Sequence, residues 1–182
     1  MQCKWNQTVD FGEANMPAPE TVAEIENKLV TERGKLLGSF KGLSHEVMTR
    51  PFEGGWAIKD VLAHIAMAEG VNTKFAKLML AKESPAQLAE LADEYPDYPM
   101  QFELNKFNAW MTERWQKKSF IEIIDALHAT RAETLMWLET LTPAQLERKG
   151  KHAVWEEQTI RSMFRILVIH DKFHRGDIEK RK

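Results

Sequence analysis

Two histidines stand four residues apart in the stretch Ile169-His170-Asp171-Lys172-Phe173-His174-Arg175-Gly176-Asp177. In a helix that spacing sets both imidazoles on one face, one turn apart. Counted back, Ile160, Met163, Leu167, His170, His174 and Ile178 step by three or four, the stripe an amphipathic helix turns to its core. Histidines at core positions need partners for their ring nitrogens, because an unpaired buried polar group is costly. A metal ion would satisfy both rings at once. Backbone carbonyls or water would also do so, and for an isolated pair that is the first reading.

The other histidines compete for a third position. His45 and His152 fall in loop-like stretches, where surface exposure is expected. His64 and His128 lie beside the apolar stripes of two other predicted helices, and either would complete a three-histidine set. Three protein ligands with an open position is the pattern of a catalytic zinc-type site, whereas a closed set of four argues for structure alone. Imidazole suits zinc, nickel, copper and iron, so the ligand type does not choose the ion. Two further residues are candidates for a catalytic role. Asp60, one turn before His64, reads either as an acceptor that orients that imidazole or as an acid placed in the first helical turn to suit the helix dipole. His128 reads either as a core-edge residue bonded across helices or as a pocket-lining proton-transfer group. Asp171 and Arg175 each follow one of the paired histidines directly, about 100° round the helix, and are expected in surface or inter-helix ion pairs. There is no Gly-rich phosphate loop and no H-E-x-x-H, and Cys3 has no positioned histidine partner.

Composition narrows the classes. At 182 residues one domain is the default, with ample length for a core. A net charge of −2 provides no basic footprint for nucleic acid. With a single cysteine no intramolecular disulfide can form. No segment approaches the roughly 20 apolar residues of a membrane span, and the N-terminus lacks the apolar run of a signal peptide, so a cytoplasmic location is expected.

The elements that must position these residues read as helices. Residues 1–18 are polar and irregular and are expected to form an arm or tail before a single helical domain over 19–182. A first helix runs from about Glu20 to about Gly42, on Val22, Ile25, Leu29, Leu36 and Phe40. Its Gly34, Gly38 and Gly42 share a face that suits close approach of a neighbour, or contact with a second copy of the chain. After a loop over Ser44 to Trp56, a second helix starts near Ala57 and ends before Pro85. Residues 83–118 are the least regular, with a helical piece from Phe102 to Trp115. A connection this long suits a crossover that sets the third helix parallel to the second. The third helix starts at Ser119, with Glu122 completing a capping box, and turns Ile121, Ile124, Leu127, Leu135 and Leu138 inward, with His128 and Arg131 on or near that face. Lys149 to His152 reads as loop, and the fourth helix runs from about Gln158 to about Glu179. A faint internal echo joins the halves. Leu43-Ser44, Trp56 and Ile58 precede the second helix as Leu141-Thr142, Trp155 and Ile160 precede the fourth, which suggests two related helical hairpins.

The run Gly55-Trp56-Ala57-Ile58-Lys59-Asp60-Val61-Leu62-Ala63-His64 resembles the tryptophan-x-x-x-aspartate-x-x-x-histidine start of the second helix in DinB/YfiT-like proteins. His170 to Asp177 is similar to the last-helix motif of that superfamily, histidine-x-x-x-histidine-arginine-glycine-glutamine, with Asp177 in place of the glutamine. The resemblance implies an all-α four-helix bundle in up-down-down-up order, with the long crossover between helices two and three. It implies a divalent metal on His64, His170 and His174 with water in the open positions, favouring His64 over His128. Zinc or nickel is the favoured ion, with iron, manganese or copper as alternatives.

The function expected on this resemblance is a metal-dependent enzyme acting on a small molecule. The chemistry is that of a hydrolase, or of a thiol-dependent transferase or isomerase using a low-molecular-weight thiol as cosubstrate, in detoxification or stress response. The alternative is a non-catalytic metal-binding or small-molecule-binding stress-response bundle. Substrate specificity is expected from the crossover, where Tyr98, Trp110 and Trp115 lie, and Trp56 is expected to plug the bundle end. A homodimer and a monomer fit the sequence equally.

Overall fold

The structure, a computed structural model, describes residues 20–52, 55–99 and 101–181. The arm expected at residues 1–18 lies outside them. Four long helices carry the fold: α1 (Val22–Ser39), α3 (Ile58–Ala81), α5 (Phe120–Leu138) and α7 (Ile160–Glu179). One-turn helices α2 (His45–Thr49) and α6 (Pro143–Leu146) precede α3 and α7, and α4 (Leu104–Gln116) lies in the crossover. Three of the long helices start on a hydroxyl that accepts an orphan backbone N–H: Thr21 from Glu24, Ser119 from Glu122 and Thr159 from Ser162. At Ser119 the Glu122 carboxylate accepts in return from the Ser119 N–H at 2.7 Å, the capping box expected from the sequence.

Side-chain pairs give the helix directions. Between α3 and α5, Gly70 lies beside Thr130, Thr73 bonds Thr134 at 2.9 Å, and the Lys77 ammonium lies 5.9 Å from the Trp137 ring centre. The numbers rise together, so these helices are parallel. Between α1 and α7, Glu20 pairs with Arg165 and Arg33 with Asp171, again rising together. Between α3 and α7 they run oppositely: Arg181 donates to the Trp56 carbonyl, and His64 meets His170. The order is therefore up-down-down-up, as expected. The crossover makes the parallel step possible. In it α4 runs back along α3, with Tyr95 under Lys74 at one end and the Gln116 carbonyl accepting from Lys59 at the other.

The sequence echo is visible in the fold. Ser44 caps α2 by accepting from the Val47 N–H, and Thr142 caps α6 by accepting from the Gln145 N–H. The likeness extends to the middle of the bundle, where Arg33, Glu69, Arg131 and Asp171 are buried together, one from each long helix. Arg33 grips Asp171 with two donors, both at 3.0 Å, and reaches Glu69 at 2.6 Å. Arg131 grips Glu69 with two donors at 2.7 and 3.3 Å and reaches Asp171 at 3.0 Å. Arg33 also donates to the Leu127 carbonyl, and Arg131 to the Leu29 carbonyl. Exchanging α1 with α5 and α3 with α7 thus maps this network onto itself. Burial alone would push the Glu69 carboxyl up. Arg131 and then Arg33 outweigh that and hold it below the ordinary value. Asp171, expected in a surface or inter-helix ion pair, makes inter-helix pairs with Arg33 and Arg131 as one of the four deeply buried charges. The quartet divides the apolar core. Ile25, Leu29, Met67, Phe75, Leu138 and Leu167 lie in one cluster, and Leu36, Ile58, Leu62, Ile123, Leu127 and Ile178 in the other.

Three local expectations are corrected. Lys149–His152 is not loop but strand β2, antiparallel to β3 (Glu156–Thr159) and parallel to β1 (Ala86–Gln87). Its Lys-Gly-Lys-His alternation puts Gly150 and His152 inward. Gly150 allows the strand to lie on α3, because a Cβ there would stand 2.6 Å from Cγ of Met79. His152, expected at the surface, is therefore buried. It stacks on Trp155 at 4.4 Å, and its Nδ1 accepts from the Val154 N–H. Burial pushes this imidazole down to about 4. Finally, Gly34 and Gly38 admit no close neighbour, since a Cβ at either meets nothing within 4 Å.

Three outcomes are expected from these observations. Gly34→Ala and Gly38→Ala each stabilise α1 by about 0.5–1 kcal/mol in urea unfolding, by restricting the unfolded chain and favouring helix; a loss instead would mean that this face is covered by another molecule in solution. Arg131→Met, which strands buried carboxylates, costs about 3–5 kcal/mol, and replacing all four charges by apolar residues of similar volume recovers most of it; a cost under about 1 kcal/mol would mean the quartet is hydrated. For His152 the sign follows from its lowered value. Below the unfolded imidazole's pKa of about 6.5, the unfolded chain takes up a proton that the folded one refuses. Its stabilising contribution is therefore full above pH 6.5 and is lost as pH falls toward about 4. In His152→Gln the stability–pH slope across that window is shallower by about 1.4 kcal/mol per pH unit; equal slopes in the two proteins would refute the assignment.

Candidate metal centre

Helix α3 begins at Ile58, and the Asp60 carboxylate reaches back to the Ala57 N–H at 2.9 Å to hold its first turn. His64 therefore points into the bundle about two turns in. On α7, His170 and His174 project toward it from the same inward stripe as Leu167 and Ile178. The three Nε2 atoms converge: His64 to His170 is 3.1 Å, and His174 to His170 is 3.1 Å. All three rings are buried, and their ligand atoms lie within 4.8 Å of one another. They form the one such group of three or more metal-binding side chains among the described residues. His128 does not join it.

The cluster's electrostatics keep His64 and His170 neutral. Burial, and then a neighbouring His174 charge, pushes His64 down to about 3. His170 is driven well below the ordinary imidazole value by burial, then by His174, His64 and the nearby Arg33 guanidinium. Neutral imidazoles are the form that ligates. Ligands about 2.1 Å from an ion at tetrahedral angles stand roughly 3.4 Å apart, close to the spacings observed. Hydrogen bonding serves the cluster poorly. The His170 Nε2 faces two like nitrogens, and in the neutral ring it carries either a proton or a lone pair, so it serves at most one of them as donor or as acceptor. The residues present thus fit a metal ion, with three protein ligands and no fourth among the described residues.

The surroundings refine several sequence readings. Asp60 is committed to the Ala57 N–H, which matches the first-turn reading, and the His64 Nδ1 has no hydrogen-bond partner. His128 is exposed on α5, as is Ile121, so neither faces inward. The inward positions of that helix are Ile123, Leu127, Arg131, Thr134 and Leu138, a stripe offset from the one counted from Ile121. His45 is exposed, as expected. Arg175 pairs with Glu179 at 3.0 Å and lies 3.8 Å from Glu32. Tyr98 and Trp110 are 5.3 Å apart and pack on Phe107 and Tyr95. Tyr95 sits at the level of Lys74, ten residues along α3 from His64 and thus about 15 Å away at 1.5 Å per residue. These aromatics are core, and they do not line the histidines. Trp56 does: its ring centre is 5.2 Å from that of His64. Asp177, one turn beyond His174, sets its Oδ2 3.5 Å from the His174 Nδ1. The facing His174 ring holds the Asp177 carboxyl below the ordinary value, against a smaller opposing effect of burial. The signal for Asp177 was its i, i+3 spacing from a candidate ligand.

The fold has counterparts among known proteins. YfiT from Bacillus subtilis, described as "a probable metal-dependent hydrolase with an unusual four-helix bundle topology", superposes with a TM-score of 0.71 at 19% identity, over 94% of this chain and 91% of that one. An uncharacterized protein from Clostridium difficile 630 follows with a TM-score of 0.64 and 13% identity, over 90% and 96%. A protein from Streptococcus pneumoniae gives 0.62 and 16%, over 91% and 92%. At these identities the likeness shows the fold. No curated protein matches the sequence. The family model of the DinB superfamily matches residues 28–178, which span all four long helices and all three clustered histidines, and the chain belongs to that superfamily.

Proposed function

We propose that this chain is a metal-dependent enzyme of hydrolase type acting on a small molecule, with the ion held by His64, His170 and His174. The observation that carries the reading is the convergence of three buried imidazole nitrogens with no fourth protein ligand among the described residues. A closed structural site would use four. A divalent ion there supplies Lewis acidity and lowers the pKa of water. The chain's own residues supply the rest. The three Nε2 lone pairs hold the ion at the junction of α3 and α7. Ile65, next to His64 in sequence, and Ile178, one turn beyond His174, are buried in the second apolar cluster, and burial of the rings strengthens electrostatic interactions among them. Trp56 covers His64 from the bundle end and presents an apolar face to whatever enters. The description of YfiT as a probable metal-dependent hydrolase on the same fold supports the class of reaction.

The test has two stages. Tag-free wild-type protein loaded with zinc or nickel and then dialysed is expected to retain one ion per chain by elemental analysis, and His170→Ala to retain none. A wild type that retains no ion overturns the metal reading. The loaded protein is then offered ester, amide, epoxide and chloro-aromatic probes, with and without low-molecular-weight thiols. Hydrolysis without thiol is the expected result. Turnover only with thiol would move the assignment to thiol transfer, and a loaded protein that turns over none of them would favour a binding role.

A further inference from the structure

We propose that Asp177 is a positioning residue of the metal centre: its carboxylate selects the His174 tautomer that directs a bare Nε2 at the ion. This rests on the reading of the three histidines as a metal site. A neutral imidazole has one N–H and one lone pair, and its partner decides which nitrogen carries which. The His174 Nδ1 is buried and without a hydrogen bond, and the group that faces it is the Asp177 Oδ2, 3.5 Å away. An ionised carboxylate only accepts, so a lone pair on Nδ1 would meet the negative oxygen and is repelled. The proton therefore sits on Nδ1, and Nε2 is left as a donor to metal, 3.1 Å from the His170 Nε2. The two residues are three apart on one helix, so the contact is built into α7 and needs no loop to close. His64 has no such acceptor at its Nδ1, which makes Asp177 a one-sided device that orients a single ligand. Carboxylate behind histidine is the general way proteins orient a ligating imidazole and raise its basicity.

The experiment is a zinc titration against a chromophoric chelator for wild type, Asp177→Ala, Asp177→Asn and Asp177→Glu. It is accompanied by the ring nitrogen shifts of His174 in the metal-free proteins at neutral pH. Asp177→Ala is expected to weaken zinc binding by about 10- to 100-fold and to move His174 away from the Nδ1–H form. Asp177→Asn should fall between, because its amide oxygen still accepts, and Asp177→Glu should restore part of the affinity. If wild type and Asp177→Ala bind zinc equally, or if the His174 tautomer is the same in both, the positioning role is overturned while the metal centre stands. If wild type itself binds no zinc, the metal centre falls and this role with it. Thermal unfolding of the metal-free variants identifies any that fail to fold, and the Asp177→Asn comparison then carries the decision.

Discussion

The four buried charges at the middle of the bundle are the constraint on which the rest depends. Arg33, Glu69, Arg131 and Asp171 cannot each find another partner in an apolar core, and a buried ion without its partner costs several kcal/mol. Each long helix contributes one of them, so sliding any helix by a turn strands at least two charges. Apolar packing alone tolerates such slips far better, because leucines and isoleucines are interchangeable contacts. The quartet thus sets the height of every helix against the others. It fixes the relation between α3 and α7 that brings His64 level with His170 and His174.

That frame is symmetric, but the chemistry it holds is not. Glu69 and Asp171 are equivalent at an offset of 102 residues (171 − 69). The same offset carries His64 to Ile166, His170 to Ala68 and His174 to Asn72. One side of the dyad therefore holds three imidazoles. The other holds an isoleucine, an alanine and an asparagine that bonds its own helix at the Ala68 carbonyl. A fold built of two like hairpins needs both arginines and both acids to bury its centre, but it needs only one set of ligands. The frame can thus stay fixed while the ligand positions on either side change independently.

How much of this is legible in the sequence depends on how local each signal is. The long helices, their order and the Ser119 cap follow from periodicity, capping chemistry and the length of the crossover, all read within short windows. The quartet is only half legible. Arg33 falls on the stripe of Ile25, Leu29 and Leu36, and Glu69 lies one turn from Ile65, so each is a charge on a core face. A charge on a stripe announces burial without naming its partner, because the partners are 36 to 138 residues away. His128 illustrates the opposite failure. Counting the stripe of α5 from Ile121 rather than Ile123 turns its mean direction by about 60° at 100° per residue, because Leu127 and Leu138 lie on both stripes, and that is enough to turn a solvent-facing ring inward. His152 was hidden for a third reason: a four-residue strand paired to a distant two-residue one leaves almost no periodic trace, and Gly150 looks like a loop signal until Met79 is seen behind it.

The asymmetry of the dyad also bears on why the histidines read as ligands rather than as core residues that bond one another. The other buried histidine among the described residues, His152, finds its partners locally: its Nδ1 accepts a backbone N–H and its ring stacks on Trp155. The three clustered rings instead aim their Nε2 atoms at one another. The His64 Nδ1 is left without a hydrogen-bond partner, and the Nε2 atoms are gathered within 3.1 Å contacts where hydrogen bonding has too few protons arranged to serve them all. Adding protons does not help, since burial and mutual repulsion already drive His64 and His170 toward the neutral form. A cation at their centre is the one addition that satisfies all three lone pairs without placing a proton on any ring. Burial, which makes this arrangement unfavourable for the empty cluster, is what would make it hold an ion firmly.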